Sequence, residues 1–198
     1  MQFLLFAVVP FSALWLLLPS PSPQVVTQDP VQQAQMLKQA QQLARLVDPH
    51  QRLSKLLGEW NITLRTTPPG GTEQNDRGVV VGKAILGGRY VVLNFNLKLQ
   101  GNDLEAVQIL GFDTLRQHYT ASWRDDLSTW SVECSGAPQA QAPDALQLHG
   151  TLADARDPTG RPFRLELDLG EKDHVTLRLF DTHEGSEFLL QTQDWARR

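Results

Sequence analysis

The sequence predicts an all-β domain, an antiparallel up-and-down barrel of about ten strands, on three observations. From Trp60 to Arg197 apolar residues recur with a period of two, the pattern of strands wet on one face. Turn residues punctuate these runs at roughly 8–12-residue spacing, which marks a sandwich or barrel. No segment between consecutive strands is long enough for a crossover helix, so parallel βαβ units are excluded. A meander of this length must hide its edges, and closing the sheet does so. A ring of about ten strands is wide enough to leave space inside.

The chain of 198 residues opens without a charge. Residues 1–23 contain no Lys, Arg, Asp or Glu, and Phe3 to Leu18 is apolar apart from Pro10 and Ser12. That run is shorter than the ~20 residues of a membrane span and fits the apolar core of a signal peptide. Its start lacks Lys or Arg and no Ala-x-Ala site follows it, so an uncleaved N-terminal membrane anchor stays open beside a signal peptide. Either way the chain is expected to be exported, to the periplasm, the cell envelope or the medium. The layout read from the sequence is therefore 1–23 leader, 24–48 linker and amphipathic helix, and 49–198 barrel.

Pro30 to Val47 is read as a helix, because Met36, Leu37, Ala40, Leu43, Ala44 and Val47 recur at helical spacing behind a first-turn proline. Asp48-Pro49 should stop it. A short turn, His50 to Leu57, gathers Leu53, Leu56 and Leu57 before Gly58.

From Trp60 each run reads as a strand. Trp60, Ile62 and Leu64 share a face; Pro68, Pro69, Gly70 and Gly71 then break the chain. Arg77 to Leu86 follows, with Gly87-Gly88 as a tight hairpin turn into Arg89 to Leu99. Leu104 to Phe112 and His118 to Asp125 form the next hairpin, and Trp130, Val132 and Cys134 the strand after it. Ala137 to Pro143 is a low-complexity loop. Leu146 to Gly150, Phe163 to Leu169, Val175 to Leu179 and Phe188 to Arg197 complete the set. Arg164, Glu166, Asp168 and Arg178 fall on outward positions, where an outer-membrane barrel would need apolar residues.

Three blocks resemble a bacterial family known as a domain of unknown function, numbered fifteen seventy-nine. They are Leu53-x-x-Leu56-x-Gly58-x-Trp60, then Leu86-Gly-Gly-Arg-Tyr90, then Gly111-Phe-Asp113 with Tyr119 and Ser122-Trp123-x-Asp125. Phe112 stands where family members usually have Tyr. The family is similar to the calycins, the lipocalin-type barrels, which implies an antiparallel barrel and no established reaction, cofactor or substrate. The Gly-x-Trp opening implies that Gly58 and Trp60 are structural. Trp60 would seal one end of the barrel, with a basic residue of the last strand, Arg197 or else Arg198, over its ring.

Composition narrows the chemistry. A net charge of −4 leaves no basic footprint for nucleic acid. Cys134 is the lone cysteine and alternates with Trp130 and Val132, as a core residue does. His50, His118, His149, His174 and His183 show no metal-ligand spacing; His118 and Asp113 could approach across a hairpin toward a metal or haem, but no third ligand is in view. Gly-x-Ser-x-Gly, Gly-x-Gly-x-x-Gly and Walker patterns are absent, and no cofactor is expected.

Candidate pocket residues are Arg89, Tyr90, Phe95, Asp113, Tyr119, Trp123, Asp125 and Trp130, an aromatic wall with a few polar groups. Asp113 and Asp125 have an architectural alternative as turn caps. The leading expectation is non-enzymatic binding of a small apolar ligand in the lumen. The alternatives are an enzyme using Asp113, His118, Tyr119 or Asp125 as acid or base, and a structural envelope protein. Membrane association through the leader stays open, and nothing in the sequence sets an oligomeric state.

Overall fold

The structure, a computed structural model, describes residues 29–155 and 157–198; the predicted leader lies outside them. The chain divides into two units at Gln39/Ala40. Helix α1 spans Pro30–Leu43 and has no buried residue, with Met36 and Leu37 both exposed. Among the described residues no helix is long and apolar enough to cross a membrane.

The sheet is a closed barrel of ten antiparallel strands in sequence order, as the alternation predicts. The strands are β1 (Gly58–Thr66), β2 (Gln74–Ile85), β3 (Tyr90–Leu99), β4 (Asn102–Asp113), β5 (His118–Asp125), β6 (Val132–Gly136), β7 (Ala145–Leu152), β8 (Arg161–Asp168), β9 (His174–His183) and β10 (Ser186–Arg197). The ring closes where β1 meets β10, in register from Trp60 opposite Arg197 to Thr66 opposite Gln191. A register shift between Leu189 and Gln191 marks a bulge in β10. It turns Gln191, Gln193 and Trp195 toward the interior, since the side-chain period of two carries inward from buried Trp195.

Three local expectations are corrected. The first helix ends at Leu43 and not Val47, because its last carbonyls find other partners: the Thr114 hydroxyl donates to the Leu43 carbonyl and Arg89 Nη2 to that of Ala44 at 2.9 Å. A second helix, α2 (Asp48–Leu53), starts where the first was expected to stop, with Pro49 in its first turn and the Val47 N–H donating to His50 Nδ1 at 3.1 Å. The β2–β3 link is a short left-handed turn, Leu86–Gly88, and not a two-residue hairpin. All three of its residues have positive φ, and β3 begins at Tyr90 rather than Arg89.

Burial follows the pleat. Ile62, Leu64, Val91, Leu93, Leu146, Leu148, Leu165 and Leu167 are buried on the inner face. The outer face is charged and paired: Arg164 bonds Glu166 and Glu187 and lies over the Phe180 ring at 3.7 Å.

Candidate ligand-binding lumen

The end of the barrel that holds Trp60 is sealed. Leu53 of α2 and Leu56, from the 3₁₀ turn Ser54–Leu56, are fully buried there, and the Trp60 indole donates to the Leu56 carbonyl at 3.1 Å. Trp60 packs on Trp195, and Trp195 on Phe95, with ring centroids 6.4 and 5.7 Å apart. These large aromatics bury more apolar area per residue than any aliphatic could. The Arg197 guanidinium lies 4.1 Å from the Trp60 ring centroid, donates to the Leu57 carbonyl at 3.0 Å and pairs with Asp173. Gly58 takes φ +107°, and a Cβ there would meet Arg197 Nη1 at 2.8 Å. Glycine is thus required for both its backbone and its bareness.

Away from that seal the lumen is not filled. A cavity of about 410 Å³ runs between β4–β6 and β7–β10 toward the loops that follow β5 and β7. Its walls are mostly apolar, with Trp123, Val132, Leu152, Phe163, Leu165, Leu177 and Leu179 among them, and Leu127 and Trp130 stand at the mouth. Small-molecule sites run from about 300 to 1,000 Å³ and have this composition, an apolar wall with few polar groups. The polar groups are Gln108, Asp125, Ser128, Gln191 and Gln193.

Those groups are ordered by a ladder along β10. Trp195 Nε1 donates to Gln193 Oε1 at 3.0 Å, Gln193 Nε2 to Gln191 Oε1 at 2.7 Å, and Gln191 Nε2 to Thr66 Oγ1 at 3.1 Å. Asp125 holds two donors, the Trp123 indole at 2.7 Å and the Leu127 N–H at 3.1 Å. It therefore caps a turn and fixes the orientation of a wall aromatic at once.

The predicted residues divide by place. Trp123, Asp125 and Trp130 line the lumen cavity, and Phe95 packs behind Trp123 at 5.1 Å between ring centroids. Tyr119 is buried nearer the sealed end, in an edge contact with Phe112. Among the described residues no group meets its hydroxyl in hydrogen-bond geometry, and burial pushes its pKa up against the pull of nearby Arg52. Arg89, Tyr90 and Asp113 line a separate hollow outside the lumen, with Leu43, His50, Phe112 and Thr114. Arg89 is exposed, and its guanidinium holds the Leu86 and Ala44 carbonyls. Asp113 accepts from the N–H groups of Leu115 and Arg116 at 2.8 and 3.0 Å; the Arg116 guanidinium holds its carboxyl below the usual range.

The acid and base candidates do not converge. Asp113 and His118 pair at the sealed end of the β4–β5 hairpin, while Asp125 stands at the far end of β5 beside the mouth. Cys134 faces the cavity, and burial pushes its thiol up to about 12, away from the thiolate form. Among the described residues no cluster of His, Cys, Asp or Glu is placed to hold a metal ion.

Sequence reasoning missed Gln108, Gln191 and Gln193, and also the rim pair of Arg161 with Asp181. Arg161 forks onto Asp181 at 2.8 and 2.7 Å and reaches Asp154 at 2.9 Å. The signal was present: Gln108 falls between Ala106 and Leu110 on the inward parity, and Asp181 continues Leu177 and Leu179.

Comparison with known proteins agrees with this architecture. A search of curated proteins finds no match. The crystal structure of Rv2717c from M. tuberculosis is similar, with a TM-score of 0.57 and 14% sequence identity over 78% of this chain and 99% of that chain. At that identity the likeness bears on the fold alone. A profile described as "Protein of unknown function (DUF1579)" matches residues 46–197, from the loop before α2 to the last residue of β10. The whole barrel and the helical turns that seal it thus lie within the match, and the chain belongs to that family.

Proposed function

We propose that this protein is a non-enzymatic binding protein of the cell envelope that takes a small, largely apolar ligand into its barrel lumen. The observation that carries the reading is the cavity of about 410 Å³, walled by aromatic and aliphatic side chains and open at the end opposite Trp60. A barrel selected only for stability would fill such a space, because empty lining forfeits packing contacts. The separation of Asp113 and His118 from Asp125 favours binding over catalysis. The envelope location rests on the uncharged apolar leader.

The test uses the full-length chain and the neutral apolar dye N-phenylnaphthylamine. The dye should brighten on binding, and decanol should displace it. Ala121→Trp places a large ring among the lining residues and should abolish the signal while the barrel still melts cooperatively. Dye binding that Ala121→Trp leaves unchanged would put the site outside the lumen and sink the reading. Cell fractionation should find the chain in the envelope or the medium; cytosolic material would overturn that part.

A further inference from the structure

Among the described residues that line the cavity, one polar side chain is not used by the protein itself. Gln108 lies in the middle of β4, opposite Trp123 of β5 and Leu93 of β3, and only 6% of its surface is exposed. It belongs to the cavity wall. Gln191 and Gln193, across the lumen, are tied into the ladder to Trp195 and Thr66. The Gln108 side-chain amide, by contrast, makes no hydrogen bond to protein among the described residues. The amide is not among the fully buried unpartnered atoms, so what remains exposed of Gln108 is the part that faces the cavity, where a ligand can reach it. An amide offers one acceptor and two donors and carries no charge.

Charge in the same space points the same way. Among the described residues no Lys, Arg or His lines the cavity, and the one carboxylate, Asp125, stands by the mouth. Arg161, on the inward parity of β8, has its guanidinium engaged by Asp181 and Asp154. An anion taken deep into this lumen would lose its water and meet no counter-ion among the described lining residues, which is strongly unfavourable.

Resting on the binding function proposed above, we infer that the lumen selects neutral amphiphiles, a hydrocarbon body with an uncharged hydroxyl or amide end that bonds the Gln108 side chain, over carboxylates of equal length. The hydrocarbon body occupies the wall of Phe163, Leu165, Leu177 and Leu179. The polar end reaches Gln108, which can donate to an alcohol or carbonyl oxygen and accept from its O–H or N–H. One hydrogen bond and one avoided buried charge together set the preference.

The experiment titrates the full-length chain with decanol, decanamide, decanoate and decane, following dye displacement at neutral pH. Decanol and decanamide should bind at least about ten-fold more tightly than decanoate. Lowering the pH should tighten decanoate alone, as it enters protonated. Gln108→Leu should bring decanol down to the affinity of decane and leave decane unweakened. Gln108→Lys should reverse the order in favour of decanoate. Decanoate binding as tightly as decanol to the unaltered protein would overturn the inference while leaving lumen binding intact, and that comparison needs no variant to fold. Gln108→Leu with an unchanged decanol-to-decane ratio would overturn the role of the side chain. Failure of all four ligands and of the dye would instead remove the binding function itself.

Discussion

Arg197 lies over Trp60 where the two ends of the barrel sequence meet, its guanidinium carbon 4.1 Å from the ring centroid and its Cα paired with that of Trp60 in the β1–β10 register. One contact thus joins the first strand to the last. Its other bonds, to the Leu57 and Lys55 carbonyls, tie the same seam to the helical turns beneath it. Closure of the ring and sealing of its end are one structure. Trp60→Ala, which empties a fully buried site, should cost about 3–5 kcal/mol. Arg197→Ala should cost about 1 kcal/mol. Guanidinium unfolding monitored by circular dichroism measures both, and a fully stable Trp60→Ala variant would contradict the sealing role.

Gly58 supports that contact from below. Gly58→Ala meets two penalties, a left-handed backbone at φ +107° and a Cβ 2.8 Å from Arg197 Nη1, and should lose about 1–3 kcal/mol. The two can be separated. In an Arg197→Ala background the clash is gone and only the backbone strain remains, so Gly58→Ala should cost less there. Equal losses in both backgrounds would assign the whole effect to the backbone.

The pH dependence of stability should fall away on both sides of neutrality. Burial lowers the His50 pKa from 6.5. The unfolded chain therefore binds this proton first, and His50's contribution is full above 6.5 and lost as pH falls through the lowered value. Burial raises the Cys134 thiol from 9.0 to about 12. Here the folded state keeps the proton longer, so stability is full below 9.0 and declines as pH rises toward 12. Urea midpoints across this range should show both slopes. His50→Gln should reduce the acid limb, and Cys134→Ala the alkaline one, of which buried Tyr119, its pKa also raised, keeps the remainder.

At the open rim, Asp181 is 4% exposed and its two oxygens take the fork of Arg161. Removing one partner strands the other charge. Arg161→Ala should cost about 3 kcal/mol, by leaving Asp181 buried and unpaired. Removing both, as Arg161→Leu with Asp181→Leu, should cost clearly less than the sum of the singles. A double-mutant cycle in chemical denaturation reads the coupling, and additive losses would mean the pair is solvated.

Strand count, order and closure were legible because each inward position repeats with the pleat and each turn is spelled by Gly, Pro or Asp. The seal was legible too, through the resemblance that pairs Trp60 with a C-terminal arginine. Arg89 and Tyr90 were harder. Parity places Arg89 with Val91 and Leu93, but β3 starts only at Tyr90, and three positive-φ residues before it turn the chain out of the ring. Parity predicts a direction only while the residue is inside the sheet. Gln108, Gln191 and Gln193 went unread for the opposite reason. Each keeps inward parity but is polar, and a search for aromatic walls passes over the groups that break the apolar pattern. The bulge at Leu189 to Gln191 added to this by shifting the parity of β10 midway.

Asp125 was open to two readings, turn cap and pocket wall, and its two oxygens serve one each: Oδ1 accepts the Leu127 N–H and Oδ2 the Trp123 indole. Asp125→Ala removes both bonds and should cost about 1–3 kcal/mol. Asp125→Asn retains a single acceptor and should fall between. Stability alone cannot separate cap from wall, but Trp123 can. Its ring packs on Phe95 at 5.1 Å and lines the cavity, so releasing its N–H should loosen the wall and red-shift its emission. Dye affinity should weaken in step with that shift. If Asp125→Ala lowers stability yet leaves both emission and dye affinity unchanged, the residue acts only through the turn, and the lumen wall is held by packing without it.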